Sequence, residues 1–261
     1  MWIWRFLAVQ ASSPPARKLR TLLPNLITIG AILAGYISIV EAFNGAYLNA
    51  AGLILIACIL DMLDGRVARA VKGTSEFGIE FDSLADMVNY GVAPALLYYM
   101  IYFREWGIPG AIFSFLPVAC ASIRLARFNT TADPDIPTRY FIGLPTTVAA
   151  VVMMGFVIFI QTLPFAYDAS YAAALLTAVA SILMVSDVQY EKSNIVSLRY
   201  IRKTRRIITA AIILLSLLIF PQMAFFAWGL LYIIYGAVRS LYYTLRYGAD
   251  KLTETEIDYL V

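Results

Sequence analysis

The 261-residue sequence predicts an all-α integral membrane protein, a six-helix core followed by a C-terminal two-helix hairpin, with about eight transmembrane helices in all. Three observations carry this prediction. Hydrophobic residues make up 61% of the chain and charged residues only 14%, against about 25% charge in soluble domains. Runs without any Asp, Glu, Lys or Arg recur at the length a bilayer demands. The cations then fall almost wholly on one side of the implied topology.

The runs cover 21–40, 42–60, 87–103, 106–123, 140–167, 169–186 and 207–238. A spanning helix needs about 17–25 apolar residues, so each of the first six suits one helix. The seventh, 32 residues long, exceeds one modestly tilted span. Pro221-Gln222 near its middle predicts a break, because proline removes a backbone donor and clashes with the preceding turn. A hairpin there gives eight spans; a single helix gives seven. The organisation expected is a basic N-terminal segment (1–20), the six-span core (21–187), a basic loop (188–206), the hairpin (207–247) and a mixed-charge tail (248–261).

With the N-terminus inside and eight spans, every one of the 20 basic residues except Arg104 lies on the cytoplasmic side. That asymmetry is the positive-inside pattern. It predicts cytoplasmic termini, in the plasma or inner membrane if the protein is prokaryotic. The cations are spread along a membrane rim rather than gathered on one soluble face, which disfavours nucleic acid and favours anionic lipid as a partner. Cys58 and Cys120 lie inside predicted spans, far apart in sequence, and are expected to be small core residues. The opening WIWRFLAV is short and interrupted by Arg5; it does not have the form of a secretory signal.

One stretch departs from the apolar pattern: DMLDGRVARAVKGTSEFGIEFDSLADM, residues 61–87. Asp61 and Asp64 stand three apart at the cytoplasmic end of the second span, and Asp82 and Asp86 four apart at the start of the third. Each pair falls on one helical face. Because the two spans are consecutive and antiparallel, the pairs can meet near the headgroups. Four clustered carboxylates repel one another, and burial of each charge is costly. A divalent metal resolves both problems. All-oxygen donors suit Mg²⁺ or Mn²⁺, as one ion or two. Zinc is disfavoured, since the chain has no histidine and its two cysteines are elsewhere. Gly65 and Gly78 are expected at the edges of the connecting loop, where a missing Cβ lets a ligand approach the backbone. Glu76 and Glu80 are expected in that loop, in solvent.

A plainer alternative has the aspartates ending helices and pairing with Arg66, Arg69 and Lys72. It leaves the whole spacing unexplained. Written out, the stretch is D-x2-D-G-x2-A-R-x8-G-x3-D-x3-D, whose eight fixed identities arise by chance at a given start on the order of once in 10⁹. A channel using the cluster as a cation filter is a further alternative, but such a path gains nothing from Arg69.

This pattern resembles the signature of the CDP-alcohol phosphatidyltransferase family, with every fixed position present, and the resemblance extends from Leu23-Pro24-Asn25-Leu26-Ile27-Thr28 to about Asp187. It implies transfer of a phosphatidyl-type group from a CDP-linked lipid to an alcohol, with release of CMP. By the same resemblance Asp61, Asp64, Asp82 and Asp86 hold metal, and Asp86 is also the general base. Asn25, Thr28, Gly65, Ala68, Arg69 and Gly78 bind the CDP-lipid, and the protein is a homodimer. Four further stretches, FDSLADMVNYGVAPALLYY (81–99), IRLARFN (123–129), FIGLPTT (141–147) and LMVSDVQY (183–190), resemble the membrane-embedded phosphatidylserine synthases of the family. They imply CDP-diacylglycerol as donor and L-serine as acceptor. Choline, inositol phosphate and glycerol phosphate are the alternatives. Ser83 and Met87 stand where a glycerophosphate-using member more often has Pro and Lys. Asn89-Tyr90 departs from the Ser-Phe of many serine-using ones. Arg124 and Arg127, at the cytoplasmic end of the fourth span, are candidates to bind the acceptor carboxylate or a phosphate.

Overall fold

The computed structural model describes residues 15–71, 75–131, 140–163, 168–191, 215–216 and 221–247. The basic segment 1–14, Lys72, Arg139, the loop 192–206, most of the hairpin's first arm and the tail 248–261 lie outside the described residues. Helix α1 spans Pro15–Phe43 and α2 spans Tyr47–Ala70. The third unit, α3, runs over 76–106 as α-helix Glu76–Asp86, π-helix Met87–Val92, α-helix Ala93–Tyr98, π-helix Tyr99–Phe103 and a final 3-10 turn. Unit α4 consists of Ile108–Ser114 and Leu116–Thr131, α5 is Thr146–Gln161, α6 is Ser170–Val185 and α7 is Pro221–Tyr247.

Leu22–Phe43, Tyr47–Ala70, Ile108–Thr130 and Met223–Ser240 are long and apolar enough to cross a membrane; α5 and α6 are shorter apolar helices. Large apolar side chains such as Leu26, Ile59, Ile112, Leu175 and Ile182 point outward, as expected where the solvent is lipid rather than water. Pro221 opens α7, a position at which its missing N–H costs nothing. The helix continues past the uncharged run to Tyr247, taking in Arg239 and Arg246.

Small residues set how closely α1 and α2 approach. Ala31, Ala34, Ser38 and Ala42 on α1 and Ala50, Ala51, Ala57 and Cys58 on α2 are all buried. Spacings of three and four on α1 and of seven on α2 put them on one face of each helix, the composition that lets membrane helices pack backbone to backbone. The Ser38 hydroxyl donates to the Ala50 carbonyl at 2.8 Å, so this buried polar group is satisfied. This close pairing brings residue 28 of α1 to residue 64 of α2.

Two elements differ from the expected pattern for local reasons. The third span is not a regular helix. Pro94 sits within α3, and proline inside a helix cannot donate and crowds the carbonyl four residues back. The π-helical turn at Met87–Val92, which closes hydrogen bonds five residues apart, precedes it. The run 140–167 is not one helix either. Residues Tyr140–Ile142 form strand β1, paired antiparallel with β2, Gln189–Glu191, in the register Phe141 to Tyr190. Gly143 then turns the chain with φ +76°, and a Cβ there would collide with the Met184 carbonyl and lie 3.1 Å from Arg127 Nη2. Only glycine meets both demands. With α5 confined to 16 residues, its length is about 24 Å at 1.5 Å per residue.

Candidate active site

The site forms where α1, α2 and the start of α3 converge. Ser75 is extended and begins α3 as its N-cap, its Oγ accepting from Gly78 N at 3.1 Å. Such a cap satisfies one of the free donors of the first turn. Helix α2 meanwhile runs on to Ala70. The connecting loop is therefore shorter than expected: Gly65, Gly78, Glu76 and Glu80 all lie within helices, though both glutamates remain exposed. The missing Cβ at Gly78 still matters, because one placed there would stand 3.1 Å from Ser75 Oγ and 3.6 Å from Asn25 Oδ1. At Gly65 a Cβ would meet Arg69 Nη1 at 3.6 Å, an ordinary contact. That glycine leaves space in a cleft rather than relieving a clash.

The cleft is open to its surroundings and encloses about 560 Å³ including that open mouth. All six residues expected to bind the CDP-lipid line it: Asn25 and Thr28 from α1, Gly65, Ala68 and Arg69 from α2, and Gly78 from α3. Asp64 and Asp82 form its floor, and Pro24, Ser75 and Ile79 complete the wall. The last three were not singled out from sequence. For Ser75 a signal existed, a capping serine three residues before a glycine at a helix start.

Carboxylate oxygens of Asp61, Asp64 and Asp82 lie within 4.8 Å of one another. Asp86 stands outside this group, one helical turn beyond Asp82 and deeper in α3. Among the described residues none of the four is ion-paired to Arg66 or Arg69. Oδ1 of Asp82 and Oδ1 of Asp86 are each buried without a hydrogen-bond partner. Buried polar atoms are normally satisfied, so these orphans and the converging all-oxygen donor set fit a divalent cation. The acidic cluster could hold one.

Thr28 takes a more specific place than expected. It is buried, and its hydroxyl donates to Asp64 Oδ2 at 2.7 Å, with the Pro24 carbonyl as a second acceptor at 3.1 Å. A hydrogen bond to a ligating carboxylate orients it for metal. We expect Thr28→Val to weaken Mn²⁺ binding about tenfold, measured by calorimetry on the detergent-solubilised protein, with little change in melting temperature.

The two candidate arginines separate. Arg127 hydrogen-bonds the carbonyls of Val185, Ser186 and Ile142 at 3.3–3.4 Å and pairs with Asp187 at 3.4 Å. It fastens the end of α6 to β1. Arg124 is only 7% exposed, and its Nε has no hydrogen-bond partner. It lies within electrostatic reach of Asp86. It is a buried cation with an unmet donor near the buried carboxylate of Asp86. Ser83 and Asn129 tie α3 to α4: Asn129 Nδ2 donates to Ser83 Oγ at 3.0 Å and to Glu80 Oε2 at 3.3 Å.

A helical membrane protein whose carboxylate cluster adjoins an arginine-lined cleft has the parts for metal-assisted phosphoryl transfer. Residues 21–186 match the CDP-alcohol phosphatidyltransferase family, and the chain belongs to it. It is 36% identical over 232 residues to a CDP-diacylglycerol–serine O-phosphatidyltransferase of Helicobacter pylori, covering 88% of this chain and 95% of that one. It is 33% identical over 213 residues to the protein of that name from Methanocaldococcus jannaschii, covering 80% and 94%. An archaetidylserine synthase of Methanothermobacter thermautotrophicus is 34% identical over 174 residues, covering 65% and 70%.

Proposed function

We propose that this protein transfers the phosphatidyl group of CDP-diacylglycerol to L-serine, giving phosphatidylserine and CMP. The observation that carries the proposal is the convergence of Asn25, Thr28, Gly65, Ala68, Arg69 and Gly78 on one cleft floored by Asp64 and Asp82. The relatives' names support serine, the acceptor common to all three although one of them is named for a different lipid.

Asp61, Asp64 and Asp82 hold Mg²⁺ or Mn²⁺, with Asp86 available to a second ion. Bound metal would neutralise pyrophosphate charge and stabilise the CMP leaving group. Arg69 and the glycine-lined walls seat the pyrophosphate, and Thr28 keeps Asp64 turned toward the cluster. Arg124 binds the serine carboxylate, which leaves the serine hydroxyl facing Asp86. Asp86 accepts the hydroxyl proton as the serine oxygen forms its bond to the lipid-bearing phosphorus and the bond to the CMP oxygen breaks. Arg127, committed to the α6–β1 junction, is a structural residue rather than an acceptor ligand.

The distribution of cations supports a site on the cytoplasmic face, where CMP and serine are soluble, while the lipid tails remain between spans. The family resemblance supports a homodimer. The test is an acceptor screen: purified protein with Mn²⁺ and CDP-diacylglycerol should release CMP on addition of serine and not of choline, inositol phosphate or glycerol phosphate. CMP release with another of these alcohols and none with serine would overturn the acceptor assignment.

A further inference from the structure

We propose that Ser75 binds the donor substrate as well as capping α3: its hydroxyl proton is donated to a phosphate oxygen of the CDP-lipid in the cleft. This rests on the reading of the cleft as a CDP-lipid site. It adds to that reading a ligand-binding side chain that the aspartate, glycine and arginine pattern does not contain.

Ser75 lines the cleft together with Gly78, Ile79 and Asp82. These positions fall at i, i+3, i+4 and i+7, one face at the start of α3. That face carries a hydroxyl at one end and a floor carboxylate at the other. Between them lies Gly78, where a Cβ would stand 3.1 Å from Ser75 Oγ and 3.6 Å from Asn25 Oδ1. The glycine therefore keeps open the space beside both oxygens. Arg69 of α2 lines the same cleft.

The hydrogen bonds decide which hydroxyl is open to a ligand. Two hydroxyls line the cleft, those of Thr28 and Ser75. The Thr28 proton is committed within the protein, with Asp64 Oδ2 at 2.7 Å and the Pro24 carbonyl at 3.1 Å as its acceptors. Among the described residues Ser75 Oγ is used only as an acceptor, from Gly78 N at 3.1 Å. Capping does not need the Ser75 proton. An N-cap works through a side-chain oxygen that accepts, and aspartate, with no proton to give, caps about as well as serine. A serine hydroxyl has one donor and two acceptor lone pairs, so its donor is left over once the cap is made. The strongest acceptor that a CDP-lipid offers is an ionised phosphate oxygen, and such charge-assisted bonds are about twice as strong as neutral ones. Ser75 and Arg69 bring donors to the cleft, and Asp64 and Asp82 bring carboxylates. That division suits a phosphate carried together with a divalent cation.

The test separates the donor from the cap. It titrates the full-length protein, in detergent with Mn²⁺, with CDP (the soluble head of the donor) and with cytidine, which has no phosphate. Ser75→Gly removes the hydroxyl at little cost to the cap. Ser75→Asp keeps a capping oxygen, removes the donor and adds a negative charge. CDP affinity should fall about tenfold in the first variant and about 100-fold in the second. Cytidine affinity and the melting temperature without ligand should stay near wild type in both. Ser75→Thr, which restores hydroxyl and cap together, should recover most of the CDP affinity. A residue that only caps the helix predicts instead that Ser75→Asp binds CDP as wild type does. That result, or an unchanged CDP affinity in folded Ser75→Gly, would overturn the inference and leave the CDP-lipid site standing. An equal loss of affinity for cytidine would overturn the phosphate contact. Failure of the wild-type protein to bind CDP would overturn the reading of the cleft itself, and this inference with it.

Discussion

Replacing Asp86 by asparagine is expected to lower CMP release at least about 10³-fold while Mn²⁺ and CDP-diacylglycerol still bind within a few-fold of wild type. The expectation comes from where the structure sets this carboxylate. Asp61, Asp64 and Asp82 share the 4.8 Å cluster, and Asp86 does not. It sits one turn deeper, beside Arg124, with Oδ1 buried and without a partner. Asparagine preserves shape and removes the ability to accept a proton; loss of a positioned base costs about 10²–10⁴ in rate. The measurement is single-turnover CMP release together with calorimetric titration of Mn²⁺. Turnover near wild type would exclude Asp86 as the base. A parallel collapse of Mn²⁺ affinity would make it chiefly a metal ligand.

The site was more legible in the sequence than the path of the chain around it, for a physical reason. Metal and pyrophosphate accept few side-chain types, so Asp61, Asp64, Asp82, Asp86, Arg69 and the glycines carry their chemistry in their identities. Helix periodicity then suffices to bring Asp61 and Asp64 to Asp82. Thr28 was visible only as part of a motif. Its hydrogen bond to Asp64 depends on how closely the small-residue faces of α1 and α2 pack, a tertiary property. Apolar runs located the spans but not their interiors. Nothing in the uncharged run 140–167 distinguishes strand from helix until Gly143 is seen wedged against the Met184 carbonyl. The π-helical turn before Pro94 is likewise a response to one residue within a run that reads as uniform. Arg124 and Arg127, equivalent as cations at a helix end, are separated by their surroundings: one is committed to three carbonyls and Asp187, the other is buried with an open donor.

Asp82→Asn should produce opposite effects with and without metal, which no purely structural role for the residue would do. In the metal-free protein Asp82 stands close to Asp61 and Asp64, and no cation is paired with them among the described residues. Removing one of three crowded charges relieves repulsion of about 1 kcal/mol or more at the effective dielectric of such sites, which raises the melting temperature by about 2–4 °C in a chain of this size. The same substitution deletes a ligand, and we expect Mn²⁺ affinity to fall at least about 100-fold. At a Mn²⁺ concentration 100 times the wild-type Kd, ligand binding stabilises the native wild-type protein by about 2.7 kcal/mol. The variant, now at a concentration equal to its Kd, gains only about 0.4 kcal/mol by the same relation. Melting curves with and without Mn²⁺ should therefore cross: the variant is the more stable protein in chelator and the less stable one in metal. A variant stabilised by Mn²⁺ as strongly as wild type would remove Asp82 from the metal site. One destabilised equally in both conditions would mean that the carboxylate is a packing element of α3 rather than part of a charged cradle.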